Sequence, residues 1–183
     1  NAIAHEVSRL IYNPYAEAAG VDPWLLLWHR YPGVLLGENK NFQLWQSGWL
    51  AMKSGATPAS LGGERKLFTG ASYDTSNNND TFGSPEYPLN ALFASELREC
   101  LLFTEPGILA KPEGVYVSLF CPRADLPGSV ILLRCDHGVT SCDYLGSLID
   151  GADARSIDSN YSDFSAPELV SVGDQDFLIV SPV

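Results

Sequence analysis

The chain has 183 residues, 45% hydrophobic and 18% charged, with a formal net charge of −11. The apolar share excludes a disordered chain, and the negative field excludes nucleic acid and anionic lipid as partners. A length of this order makes one globular domain, spanning residues 1–183.

The charge is unevenly placed. Residues 136–183 carry nine carboxylates against Arg155 alone, so a cationic partner or a divalent cation suits this end. The share of charged residues lies below the usual value of about 25%, as in a surface partly covered by a partner. Apolar runs such as Trp24–Trp28 fall far short of the roughly 20 residues a spanning helix needs. No signal peptide is visible, although a chain that starts at Asn1 is compatible with a removed leader.

In chain order, Ala2 to Ala18 reads as a helix, because Ile3, Val7, Leu10 and Ile11 fall on one helical face. Pro14 kinks it. Trp24 to Met52 reads as a meander, with turns at Tyr31-Pro32-Gly33 and Asn39-Lys40-Asn41 and strands at Val34–Leu36 and Phe42–Met52. Ser54 to Gly63 is a loop, Lys66 to Thr69 a brief strand, and Gly70 to Pro88 a long irregular stretch. Leu89 to Phe103 reads as the central helix, opened by Pro88 and closed by Glu105-Pro106-Gly107. Val115 to Phe120 and Ser129 to Cys135 form a hairpin, and Asp143 to Pro167 reads as a long acidic loop with one helical turn inside Leu145–Asp158. Leu169–Val172 and Phe177–Val180 form a last hairpin about Gly173-Asp174. No internal repeat stands out. The expected fold is therefore α+β, an antiparallel sheet packed by an N-terminal and a central helix.

The chemistry centres on the stretch from Val115 to Cys142, which holds three of the four cysteines and His137. Cys100, Cys121, Cys135 and Cys142 can pair in three ways. One of them joins Cys100 to Cys121 and leaves Cys135 with Cys142. Disulfides imply an extracytoplasmic protein: secreted, at a cell surface or in a virion. The rival readings are free buried thiols and a zinc site of Cys121, Cys135, His137 and Cys142.

The strand that ends in Asp136-His137-Gly138 resembles the histidine segment of caspase-like and legumain-like cysteine peptidases. The resemblance implies that His137 assists a thiolate nucleophile. Those families place their cysteine after a later strand; here that strand is Asp176–Val180, and no cysteine follows Cys142. A hydrolase using His137 is thus the alternative function.

Asp74, Ser76, Asn78 and Asp80 put oxygen ligands at alternate positions, a loose calcium pattern, and Asp150, Asp153 and Asp158 form a second loose set. Trp45 and Trp49 lie an even number apart, so on a strand they share a face and could stack on sugar rings. No phosphate loop, nucleophile elbow or dinucleotide fingerprint occurs. The leading expectation is a non-catalytic exported domain, virion-borne or filament-type, used for assembly or adhesion with a protein partner. Carbohydrate binding through the tryptophans is the further alternative. No cofactor is expected unless calcium binds one of these oxygen-rich loops.

Overall fold

The computed structural model describes residues 2–33, 49–69, 103–123 and 127–182, together with Leu89, Leu92, Glu96, Leu97 and Cys100. Its described strands form three antiparallel sheets, each in chain order. The first contains β1 (Ala2–Tyr12), β2 (Trp24–Gly33), β3 (Trp49–Gly55) and β4 (Arg65–Thr69). The second contains β5 (Thr104–Lys111), β6 (Gly114–Cys121), β7 (Ser129–Cys135) and β8 (Cys142–Asp150). The third is the pair β9 (Phe164–Val172) and β10 (Gln175–Pro182). Two short helices, α1 (Ala16–Ala19) and α2 (Gly151–Ile157), sit in connections.

The α+β expectation is overturned at both helices. Ala2–Tyr12 is a strand, paired antiparallel with β2 from Ala2↔Gly33 to Tyr12↔Trp24. The even spacing of Ile3, Val7 and Ile11 suits a strand as well as a helix, and Leu10, which completed the helical face, is exposed; the strand is bulged between Glu6 and Arg9. Beyond the bulge the alternation is clean: Ser8, Leu10 and Tyr12 are exposed, while Arg9 and Ile11 are half-buried and Asn13 is buried. In the expected central helix, Leu89 and Leu92 are helical, Glu96 and Leu97 lie in a turn, and Thr104 already belongs to β5. No central helix packs on a sheet among the described residues. The segment instead contributes Leu89, Leu97, Cys100 and Phe103 to the core.

Three other expectations are corrected. Tyr31-Pro32-Gly33 continues β2, and Glu105-Pro106-Gly107 lies within β5. The expected acidic loop from Asp143 is largely β8, α2 and the start of β9. The central and last hairpins are present as β6–β7 and β9–β10, both longer than expected. Val34–Leu36 and the first part of Phe42–Met52 lie outside the described residues.

The sheets stack face to face in chain order. Between the first and second lies the main core, with Leu25, Leu27, Leu50 and Phe68 on one side and Val117, Leu119, Ile131 and Leu133 on the other. The opposite face of the second sheet presents Val130, which packs with Ala154, Phe164, Leu178 and Val180. At one edge the first strands meet: β1 lies against β5, and β5 against β9. Antiparallel meanders stacked with their first strands gathered at one edge resemble successive blades of a β-propeller, although the third sheet here is a strand pair.

The first strands of the second and third sheets share a local structure. Thr104-Glu105-Pro106-Gly107-Ile108-Leu109 in β5 corresponds to Ser165-Ala166-Pro167-Glu168-Leu169-Val170 in β9. In each the residue before proline is left-handed, with φ 55° at Glu105 and 47° at Ala166, and each lies at a register shift. Glu105 Oε2 accepts the Ala166 N–H at 2.5 Å, tying one bulge to the next. The backbones pass so closely at Gly107 that a Cβ there would lie 2.5 Å from the Pro167 carbonyl oxygen and would also strike Ser118 Oγ. Gly107→Ala is therefore expected to lower stability by about 2 kcal/mol or more, as overpacking of a tight contact does. The check is the urea midpoint, with Gly63→Ala as a silent control because its Cβ would meet open space.

His29 on β2 is fully buried, and desolvation lowers its pKa from 6.5 to about 4. Between those values the unfolded chain binds the proton that the folded chain refuses. The stabilisation is complete above pH 6.5 and is lost as pH falls toward 4. Its size is about 3 kcal/mol from the shift in question. Urea unfolding at pH 7 and pH 4.5 should show this loss in the wild type and a flatter dependence in His29→Gln, after subtraction of the common carboxylate trend.

Candidate functional site

A groove of about 270 Å³ runs along the edge where β1, β5 and β9 gather, lined by Arg9, Tyr12, Ile108, Ala110, Glu168 and Leu169 among others. Arg9 Nη2 stands 3.8 Å from Glu168 Oε2, and Nη1 donates to the Ser8 carbonyl at 3.3 Å. Arg9 Nε is buried and has no partner among the described residues. A buried donor left in this state costs about 1–3 kcal/mol. Tyr12 is 56% exposed, and its ring lies 5.4 Å from that of Trp24, tilted by 56°. The groove thus offers a guanidinium donor and a half-exposed carboxylate, with the Tyr12 ring at its rim on the opposite face of β1.

A second tie flanks this edge. Lys111 Nζ donates to Asp176 Oδ1 at 2.5 Å, which joins β5 to β10. That bond is the main reason the Lys111 ammonium is pushed up and the Asp176 carboxyl held down from their ordinary values; Ser171 Oγ also donates to Asp176.

His137 lies elsewhere, in the turn between β7 and β8. Asn13 Oδ1 accepts the Tyr15 N–H at 3.0 Å, which orients the amide so that its Nδ2 donates to His137 Nδ1 at 3.2 Å. His137 Nδ1 is then the acceptor, and Nε2–H donates to the Pro112 carbonyl at 3.1 Å. Arg65 of β4 donates to the Gly138 and Val139 carbonyls of the same turn at 2.5 and 3.2 Å. The turn therefore clamps the second sheet onto the first. A depression of about 310 Å³ beside it is lined by Glu113, Asp136, His137 and Thr140 among others.

The cysteines pair as Cys100–Cys121 and Cys135–Cys142, with no free cysteine. No thiol of this chain is left for His137 to assist, and none for the zinc set of Cys121, Cys135, His137 and Cys142. Asp74, Ser76, Asn78 and Asp80 lie outside the described residues, as does Trp45. Trp49 opens β3, opposite Arg30 and Thr69. The carboxylate set of Asp150, Asp153 and Asp158 serves local backbone. Asp150 and Asp153 form a capping box at the start of α2, and Asp158 accepts the Asn160 N–H at 2.9 Å. Among the described residues no group of three His, Cys, Asp or Glu is placed to hold a metal ion.

Arg9, Tyr12 and Glu168 were not candidates in the sequence. A helical reading of Ala2–Ala18 gave Arg9 and Tyr12 no strand edge to occupy. Their available signal was the paired motif Glu105-Pro106-Gly107 and Ala166-Pro167-Glu168, which marks the equivalent strands that meet at the groove.

No protein family and no curated protein matches the chain. Among solved structures it is similar to an α-L-arabinofuranosidase from Lactobacillus brevis. The TM-score is 0.51 at 10% identity, over 98% of this chain and 45% of that one. The likeness is one of fold.

His137 and Asn13 form a structural clamp by this geometry. Removing either should cost about 1–2 kcal/mol, since each leaves a buried or half-buried polar partner unmade. In a double-mutant cycle of Asn13→Ala and His137→Ala, unfolding free energies should show coupling of about 1 kcal/mol.

Proposed function

We propose that the protein is an extracytoplasmic, non-catalytic domain that binds carbohydrate in the groove along β1, β5 and β9. The observation that carries this reading is the groove at the gathered edge, which holds the Arg9–Glu168 pair, with the exposed Tyr12 ring on the other face of β1 at its rim. Sugars present an apolar ring face, which stacks on an aromatic, and hydroxyls that both donate and accept. Glu168 accepts from hydroxyls, and the Arg9 guanidinium donates to them. The two disulfides support the compartment. The expected adhesive role becomes adhesion to a glycan, through residues other than Trp45 and Trp49.

Cleavage of the bound glycoside is the second reading. It is favoured by two carboxylates on adjacent first strands, Glu105 and Glu168, since glycosidases work with such pairs. The name of the structural neighbour, an arabinofuranosidase, points the same way. Binding ranks first because both groups already have fixed partners: Glu105 holds the Ala166 N–H, and Glu168 faces Arg9.

The test is calorimetric titration with arabino- and xylo-oligosaccharides, alongside a chromogenic α-L-arabinofuranoside assay. Wild type should bind a member of the panel without turnover. Tyr12→Ala should weaken binding at least about ten-fold, equivalent to 1.4 kcal/mol, with unchanged circular dichroism. Tryptophan emission should also shift on binding, because Trp24 backs Tyr12. Turnover abolished by Glu168→Gln would establish the second reading, and a wild type that binds no glycan sinks both.

A further inference from the structure

We propose that Asn160 is a site of N-linked glycosylation. Asn160-Tyr161-Ser162 is an Asn-x-Ser acceptor with a residue other than proline in the middle. The structure presents it outward. Tyr161 packs against the cluster of Val130, Ala154 and Phe164, while Asn160 and Ser162 on either side of it are exposed. The turn that displays them is made by Asp158, whose carboxylate accepts the Asn160 N–H and whose carbonyl accepts the Tyr161 N–H, each at 2.9 Å. The acceptor amide of Asn160 is therefore not required to build its own turn.

The disulfides supply the independent support. With all four cysteines paired, the chain belongs to an oxidising compartment, the kind in which a eukaryotic cell attaches such glycans. The donor is a lipid-linked oligosaccharide diphosphate. Asn160 Nδ2 forms a bond to the anomeric carbon, the bond from that carbon to the diphosphate oxygen breaks, and the lipid diphosphate departs with the electron pair. The amide gives up one proton to a base of the transferase. A glycan at Asn160 would also lie near Ile157, which is 66% exposed at the end of α2.

The experiment is peptide mapping of the full chain secreted from eukaryotic cells, before and after amide-specific deglycosylation. A second acceptor sequence, Asn79-Asp80-Thr81, lies outside the described residues, so the peptide carrying Asn160 decides and not the whole-protein mass. That peptide should carry hexose-containing glycan and convert Asn160 to Asp on deglycosylation. Asn160→Gln and Ser162→Ala should lose the modification, and Ser162→Thr should keep it. If the loss variants are not secreted, wild type and Ser162→Thr suffice. An unmodified Asn160 peptide from secreted wild type would overturn the proposal.

Discussion

Between β5 and β9 the backbones approach until a single methyl group no longer fits at Gly107. That contact places the first strand of the second sheet directly against the first strand of the third. The proline bulges follow from it. A straight strand would carry its neighbour's carbonyls into the same space, whereas a left-handed residue before Pro106 and before Pro167 turns the chain away. Such conformations cost on the order of 1–3 kcal/mol each. The carboxylate of Glu105 offsets part of that cost by binding the Ala166 N–H at the second bulge. The gathered strands also shield each other's open edges, which would otherwise recruit foreign strands.

Away from this edge, the sheets are held by different means. The first and second share the large apolar core and the polar clamp of Asn13, His137 and Arg65. The Cys135–Cys142 disulfide closes the hairpin that carries the clamp, over a separation of 7 residues. Cys100–Cys121, separated by 21 residues, joins the segment before β5 to the end of β6. A loop of that size gives about 3 kcal/mol in the chain-entropy account. The third sheet has a smaller apolar contact, flanked at the surface by the ion pairs Arg9–Glu168 and Lys111–Asp176. Carboxylates concentrated in residues 136–183 are thus partly explained: Asp150, Asp153, Asp158 and Asp163 serve backbone N–H groups, and Glu168 and Asp176 meet cations from earlier strands.

Strands with an unbroken period were legible in the sequence. The hairpin β6–β7 was visible because Val115, Val117 and Leu119 alternate, and Ser129–Cys135 has a continuous apolar centre. The disulfide pairs were among the three possible. What misled was phase. In β1 the spacing of Ile3, Val7 and Ile11 fits both periods, and only Leu10, exposed in the structure, tipped it toward a helical face. Proline also misled: Pro106 sits at the β5 bulge, and Pro32 pairs with Ile3 of β1 beyond the last β2–β3 pair, Arg30↔Trp49. The groove was invisible for a further reason. Its residues come from three strands, Arg9 and Tyr12 from β1, Ile108 from β5, and Glu168 from β9, and only stacking brings them together. His137 drew notice through its sequence neighbours, whereas its partners are Asn13, distant in sequence, and the Pro112 carbonyl.

The electrostatics of the groove narrow what it can hold. The whole chain carries −11, so an anion approaches against the field. Within the groove, however, Arg9 and Glu168 balance, and a cation meets a carboxylate already facing a guanidinium. Their separation of 3.8 Å is longer than a direct hydrogen bond, and Arg9 Nε stays without a partner among the described residues. A neutral molecule with several hydroxyls meets all three conditions: it bears no charge against the field, accepts from Arg9, and donates to Glu168 without displacing the pair. On the proposed reading an apolar ligand leaves the Arg9–Glu168 pair unused, whereas a polyol engages both members of it.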